Sequence, residues 1–167
     1  LNVENLNGPT SGANANKIIL PSGQTLDASG GTITPSAGQV VQVATRIHTT
    51  ANGTTSSSFV NSGVYVTITP KFADSKIFVQ FIGTSYTTAN GIYVIYRDTT
   101  SLISTSYAQI GNYNSIYTPS VLSVVDEPST TSAVSYYVYF KTNGSGNIYW
   151  PPGNADTTQC IAMEIKQ

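Results

Sequence analysis

The stretch Val64-Tyr65-Val66-Thr67-Ile68-Thr69-Pro70 (VYVTITP) alternates apolar and polar side chains with a period of two and is stopped by proline. A strand buried on one face presents residues i, i+2 and i+4 on the same side, so this pattern predicts a β-strand rather than a helix. Outward from it, Val41, Val43 and Thr45 alternate in the same way with Gln42, Ala44 and Arg46. Further runs of strand composition are Lys76 to Ser85 (KIFVQFIGTS), Gly91 to Arg97 (GIYVIYR), Leu102 to Ala108, Val121 to Asp126, Ala133 to Lys141 (AVSYYVYFK), Asn147 to Trp150 and Gln159 to Lys166. Turn chemistry separates them: Ala51 to Ser58 (ANGTTSSS), Thr87 to Asn90 (TTAN), Asn143 to Gly146 (NGSG) and Pro151 to Asp156 (PPGNAD). No segment carries a helical period of useful length. About nine strands at spacings of roughly ten to fifteen residues predict an all-β domain, a jelly-roll-like antiparallel β-sandwich.

That pattern begins near Val40. From Leu1 to Gln39 the chain has no aromatic residue and few large apolar ones, so this part cannot build a core of its own. Within it, Ile18 to Leu26 (IILPSGQTL) is echoed by Ile33 to Val41 (ITPSAGQVV). A weak repeat of apolar pairs and tight turns fits a trimeric β-stem, in which three chains complete one another's core, and it also fits a linker. The expected organisation is a stem or linker over residues 1–39 and a sandwich over 40–167. The numbering opens on Leu1 and the single methionine is Met163, which suggests the C-terminal piece of a longer chain.

Composition narrows the function. Seven Lys and Arg against eight Asp and Glu leave a net charge of −1, and only 9% of the 167 residues are charged. Ser, Thr and Asn make up roughly a third of the chain, so neutral polar groups must clothe the surface. No basic cluster exists to neutralise phosphates, which argues against nucleic acid as a partner. No apolar run is long enough for a membrane-spanning helix, and membrane insertion is not expected. The single cysteine, Cys160, lies in a strand-like run where a buried, inert thiol is expected.

The inventory for catalysis is thin. His48 is the only histidine, and its alternation with Arg46 and Thr50 on a strand end suggests a solvent-facing or interface ring. Asp126 and Glu127 are neighbours that point to opposite faces of a strand and cannot flank one bond. Asp74 and Asp98 read as turn residues, and Glu164 as a partner for a lysine. No metal site, cofactor or catalytic residue is expected. Binding is easier to support, because aromatic rings stack on sugar C–H faces while amides and hydroxyls take the sugar hydroxyls. Three loops offer that mixture: Tyr86 to Asn90; Asn112, Tyr113, Asn114 and Tyr117; and Tyr149, Trp150, Asn154 and Asp156. Tyr113 and Trp150 are the expected anchors, with Asn112, Asn114, Asn154 and Asp156 as polar partners. Tyr93, Tyr136, Tyr137 and Tyr139 are accounted for by strand alternation alone.

A set of short pieces carries a family resemblance: Gly38 to Gln42 (GQVVQ), Ile68 to Lys71 (ITPK) leading into Ser75-Lys76-Ile77, Tyr96 to Asp98 (YRD), Asp126 to Ser129 (DEPS) ahead of a tyrosine-rich strand, and the closing Ala162 to Ile165 (AMEI). In their order, from about Ile18 to Gln167, the chain resembles the distal, C-terminal part of tail fibres of tailed bacteriophages. The resemblance implies a homotrimeric tip joined on its N-terminal side to the rest of the fibre. Such a tip belongs to the virion and adheres to a host cell-surface receptor, glycan or protein, without catalysis. It transfers no binding residue, since such tips vary most in their loops. Two other functions share these features, a fibre-borne polysaccharide depolymerase and a carbohydrate-binding module of a bacterial surface adhesin.

Overall fold

A computed structural model describes residues 9–13, 19–20, 22–25, 34–102, 109–110, 116–153 and 156–167. The chain divides into two units, Leu1–Thr34 and Pro35–Gln167. In the first, the described residues are turns and extended backbone around Gly12 and Gly23, both at positive φ. Most of the expected stem or linker, and the Leu102 to Ala108 run beyond its first residue, lie outside the described residues.

The second unit is an antiparallel β-sandwich of jelly-roll-like character, with no helix among its described residues. Its strands are β1 (Val40–His48), β2 (Gly53–Thr54), β3 (Val60–Ile68), β4 (Lys76–Thr87), β5 (Gly91–Arg97), β6 (Thr100–Ser101), β7 (Gln109–Ile110), β8 (Ile116–Asp126), β9 (Val134–Thr142), β10 (Ile148–Tyr149) and β11 (Thr158–Ile165). The first sheet runs β1-β11-β4-β10-β2, with β8 on the other side of β4; the second runs β3-β9-β5-β6, with β7 also on β5. The two-residue strands β2, β6 and β7 carry too little sequence to show a period. Strand β8 starts five residues before the expected Val121 and runs through Pro119. It tolerates proline because it is an edge strand, paired only with β4, where the missing N–H need not join a ladder.

Alternation decides the core. On β9 Val134, Tyr136, Val138, Phe140 and Thr142 are buried while the residues between them are half-exposed, and on β3 Ser62, Val64, Val66 and Ile68 point inward. Facing them from the first sheet are Ile77, Val79 and Phe81 of β4 and Cys160 and Ala162 of β11, packed around Tyr93 and Trp150. Strand β5 breaks the alternation, since Ile92 and Val94 are buried on its outer side by Phe59, Tyr96 and Tyr139. With both faces covered, it reads in the sequence as a continuous apolar run.

Polar contacts fasten the two open sides of the sandwich. On one, Gln42 Nε2 of β1 donates to Thr69 O at 2.6 Å, and His48 Nε2 lies 2.8 Å from Tyr65 O and 3.1 Å from Tyr65 N of β3. On the other, Arg97 Nη1 donates to Asp126 Oδ1 at 3.0 Å and Oδ2 at 2.8 Å, and Tyr136 Oη donates to Oδ2 at 2.8 Å. A buried carboxylate with a cation and a hydroxyl donor is satisfied, whereas removing either donor would leave charge unpaired. Glu127, the next residue, points outward to Lys76 at 3.1 Å.

Candidate functional site

Of the six expected binding residues, Asn112, Tyr113, Asn114 and Asn154 lie outside the described residues. Trp150 requires correction as an anchor. Chain alternation after β10 turns Ile148 inward, Tyr149 outward and Trp150 inward again, so the indole is fully buried. Its Nε1–H donates to Thr158 Oγ1 at 2.8 Å and its ring meets Tyr93 edge-on with centroids 5.2 Å apart, leaving no face for a ligand. Backbone bonds from Trp150 N to Asn52 O at 2.9 Å and from Asn52 N to Pro151 O at 3.1 Å continue the strand pairing into what the sequence presents as a turn. Asp156 folds back on its own loop, with its N–H donating to Gly153 O at 3.1 Å.

What the structure does bring together is one tyrosine from each of the three expected loops. Tyr117 of β8 pairs with Tyr86 of β4, Tyr86 with Tyr149 of β10, and Tyr149 with Gly53 of β2, so all four form one cross-strand row. By strand parity the three rings stand on the outer face of the first sheet. Ring centroids are 4.8 Å apart for Tyr86 and Tyr117 and 5.9 Å for Tyr86 and Tyr149, and Tyr117 is 64% exposed. The row is positioned from beneath: Ile148 and Trp150 are anchored in the core on either side of Tyr149, and Tyr93 Oη donates to Tyr149 O at 3.3 Å. Gly53 is required by proximity, because a Cβ there would overlap the Tyr149 ring. Beside the row lies an open cleft of about 350 Å³ lined by Gly53, Thr54, Thr55, Asn147 and Tyr149. Aromatic faces next to hydroxyls and an amide, with no charge in the lining, suit a neutral, hydroxyl-rich ligand. The sequence showed these tyrosines loop by loop; only strand register shows that they share a row.

A second cleft, of about 400 Å³, lies between the β1 and β3 edges and is lined by Arg46, His48, Asn52, Ser62 and Tyr65 among others. His48 is half-buried in the lining of this cleft with its ring 5.3 Å from that of Tyr65, and its Nε2 is tied to the β3 main chain. Burial holds its pKa below the usual 6.5; the Tyr65 contact works against this and the Arg46 charge adds to it. Through Nε2 the ring donates to Tyr65 O, the shorter of the two contacts, in the tautomer that carries its proton there, and accepts from Tyr65 N–H in the other. Arg46 lies over the Tyr65 ring at 4.0 Å.

Two further titratable groups among the described residues are engaged structurally. Glu164 is fully buried and accepts from Lys71 N–H at 2.9 and 3.0 Å, Phe72 N–H at 3.0 Å and Gln42 Nε2 at 2.6 Å. Its expected lysine partner is thus corrected to the Lys71 backbone: an inward strand position reaches a turn, not an ammonium. Burial pushes the Cys160 thiol up to about 12, which makes it inert at neutral pH. Among the described residues no group of three or more His, Cys, Asp or Glu is placed to hold a metal ion.

No family model and no curated protein matches the chain. Among solved structures it is similar to the VP2 subviral particle of infectious bursal disease virus, at 13% identity and a TM-score of 0.40, over 95% of this chain and 46% of that one. The chain therefore spans about half the length of the protein it matches.

Proposed function

We propose that this chain is the distal tip of a viral tail fibre, a homotrimer that attaches the virion to a host cell-surface glycan without catalysis. The observation that carries the reading is the Tyr117–Tyr86–Tyr149 row with its neutral cleft, a surface built for stacking and uncharged hydrogen bonds at one end of the sandwich. It is supported by the tail-fibre resemblance of the sequence and by the engagement of three of the described carboxylates. Asp126 is locked to Arg97 and Tyr136, Glu164 to the Lys71 and Phe72 backbone, and Asp74 to Lys166, so none of these stands ready for acid and base roles.

The test is adsorption to host cells, and binding to neutral glycans of the host surface, by Tyr86→Ala and Tyr117→Ala. Each variant is expected to keep its melting temperature within a few degrees and to bind about 30-fold more weakly, the loss of one aromatic anchor of roughly 2 kcal/mol. Parent-like binding by both variants would overturn the site. Release of reducing ends from the glycan would replace the reading with the depolymerase.

A further inference from the structure

We propose that the outer face of the first sheet, from the row of Val43 to the row of Ile47, is the seam on which copies of this chain pack against one another. The reading above supplies only the number of copies; the face is argued from the fold. Three rows cross it in register: Val43, Met163, Phe78 and Val125; Thr45, Ile161, Gln80 and Ser123; and Ile47, Gln159, Ile82 and Val121. Val43, Ile47, Ile82, Val121 and Val125 are 53%, 66%, 38%, 56% and 56% exposed. With Val40 and Tyr117 on the same side, they include every exposed large apolar residue found among the described residues of Pro35–Gln167.

The two outer faces of the sandwich contrast. On the second sheet the chain covers its own surface: Tyr96 stacks on Tyr139 at 4.0 Å, Tyr65 lies 5.4 Å from Tyr137, and Lys141 and Arg46 lie over the rings of Phe59 and Tyr65. Over the three rows of the first sheet no ring pair or cation over a ring among the described residues of Pro35–Gln167 plays that part. At about 4.8 Å between strands and 3.4 Å per residue, four strands from the Val43 row to the Ile47 row span roughly 19 by 14 Å in plan. That is on the order of 270 Å² in plan before corrugation, the contiguous centre of a contact and about a third of the roughly 800 Å² each partner gives to a standard interface.

Chemistry selects the occupant. The three rows hold no charged side chain, and Lys76 beyond them is paired with Glu127. A symmetry axis brings like residues together, so a self-contact is opposed by like-charge repulsion unless the face is neutral, and this one is. The middle row of Thr45, Gln80 and Ser123 places hydroxyls and an amide across the apolar field. Those groups hydrogen-bond across a protein seam and are penalised in lipid. The tyrosine row lies two rows beyond Ile82, about 14 Å away, so a seam over these three rows leaves the glycan cleft at its rim.

The experiment is sedimentation equilibrium on the whole chain from about 1 to 100 μM, a range that brackets micromolar association. The parent is expected at a multiple of the chain mass. Val121→Lys with Val125→Lys sets like charges face to face, and association should weaken about 100-fold, while circular dichroism stays that of the parent because both positions are exposed. Ile47→Asn at the opposite edge gives the same result by a different loss and decides the matter should the double variant fail to fold. Thr67→Lys on the second sheet leaves the mass unchanged. A monomeric parent, or a double variant that assembles like the parent, would overturn the seam. A monomeric parent that still loses glycan binding on Tyr86→Ala would leave the glycan site standing without it.

Discussion

Tyr149 and Trp150 are adjacent, yet one ring faces solvent and the other is the largest fully buried side chain. Alternation assigns them, and single substitutions separate their roles. Trp150→Phe keeps most of the buried area and loses the Nε1–H bond to Thr158 Oγ1, leaving that hydroxyl without its donor. The expected loss is about 1–2 kcal/mol of stability, with glycan binding unchanged. Gly53→Ala acts in the opposite sense: the added methyl displaces the Tyr149 ring from an exposed strand pair, so binding should fall at least about tenfold while stability changes by roughly 1 kcal/mol or less. Thermal melts beside glycan titrations read both. A Trp150→Phe variant that melts normally and no longer binds would return the indole to the ligand site.

At the scale of elements, β1 is held to β3 and to the turn after it by two titratable side chains, and both make the fold weaker in acid. Burial works against Glu164, but the hydrogen bonds from Lys71, Gln42 and Phe72 outweigh it and hold the carboxyl below its usual 4.5. Its stabilisation is present above pH 4.5 and is lost as pH falls through the folded value. His48 is held below 6.5 in the fold, so below pH 6.5 the unfolded chain gains a proton that the folded chain resists, and stability drops again. Melting temperature should therefore decline in two steps between about pH 7 and pH 3; His48→Gln removes the upper step and Glu164→Gln, itself destabilising by about 3 kcal/mol, the lower. A flat profile in the parent would refute the assignment. These same elements show what the sequence makes legible. The strands β3, β4, β9 and β11 are visible because each has at least eight residues in which burial imposes a period, and β5 because burial on both faces makes it a continuous apolar run. The tyrosine row is not visible, because a cross-strand neighbour depends on register between segments as distant as Gly53 and Tyr149, and no local pattern encodes it. Trp150 reads as a loop residue for a related reason: Pro151 and Pro152 signal a turn, while the Asn52 backbone keeps the strand paired beyond it.

For the whole molecule, charge decides how attachment responds to its medium. Three of the six described acidic side chains pair with a cation of the chain itself, Asp74 with Lys166, Asp126 with Arg97 and Glu127 with Lys76, and the net charge is −1. Long-range attraction therefore contributes little, and contact through the tyrosine row rests on stacking and neutral hydrogen bonds, which salt does not screen. On the proposed reading each site is modest alone, and a fibre repeating it would gain through effective concentration rather than through charge. Adsorption measured between about 50 and 500 mM salt should accordingly change less than about threefold, a window over which the Debye length shrinks severalfold. An anionic ligand would behave otherwise. Its natural place is the cleft of Arg46, His48 and Asn52, where binding would weaken steeply with salt and with Arg46→Gln, and would strengthen as pH falls through the lowered value at which folded His48 takes up a proton. Salt-insensitive adsorption that Tyr86→Ala lowers and Arg46→Gln leaves alone is the expected result; salt-sensitive adsorption with the reverse mutant pattern would move the receptor from the tyrosine row to the β1–β3 cleft.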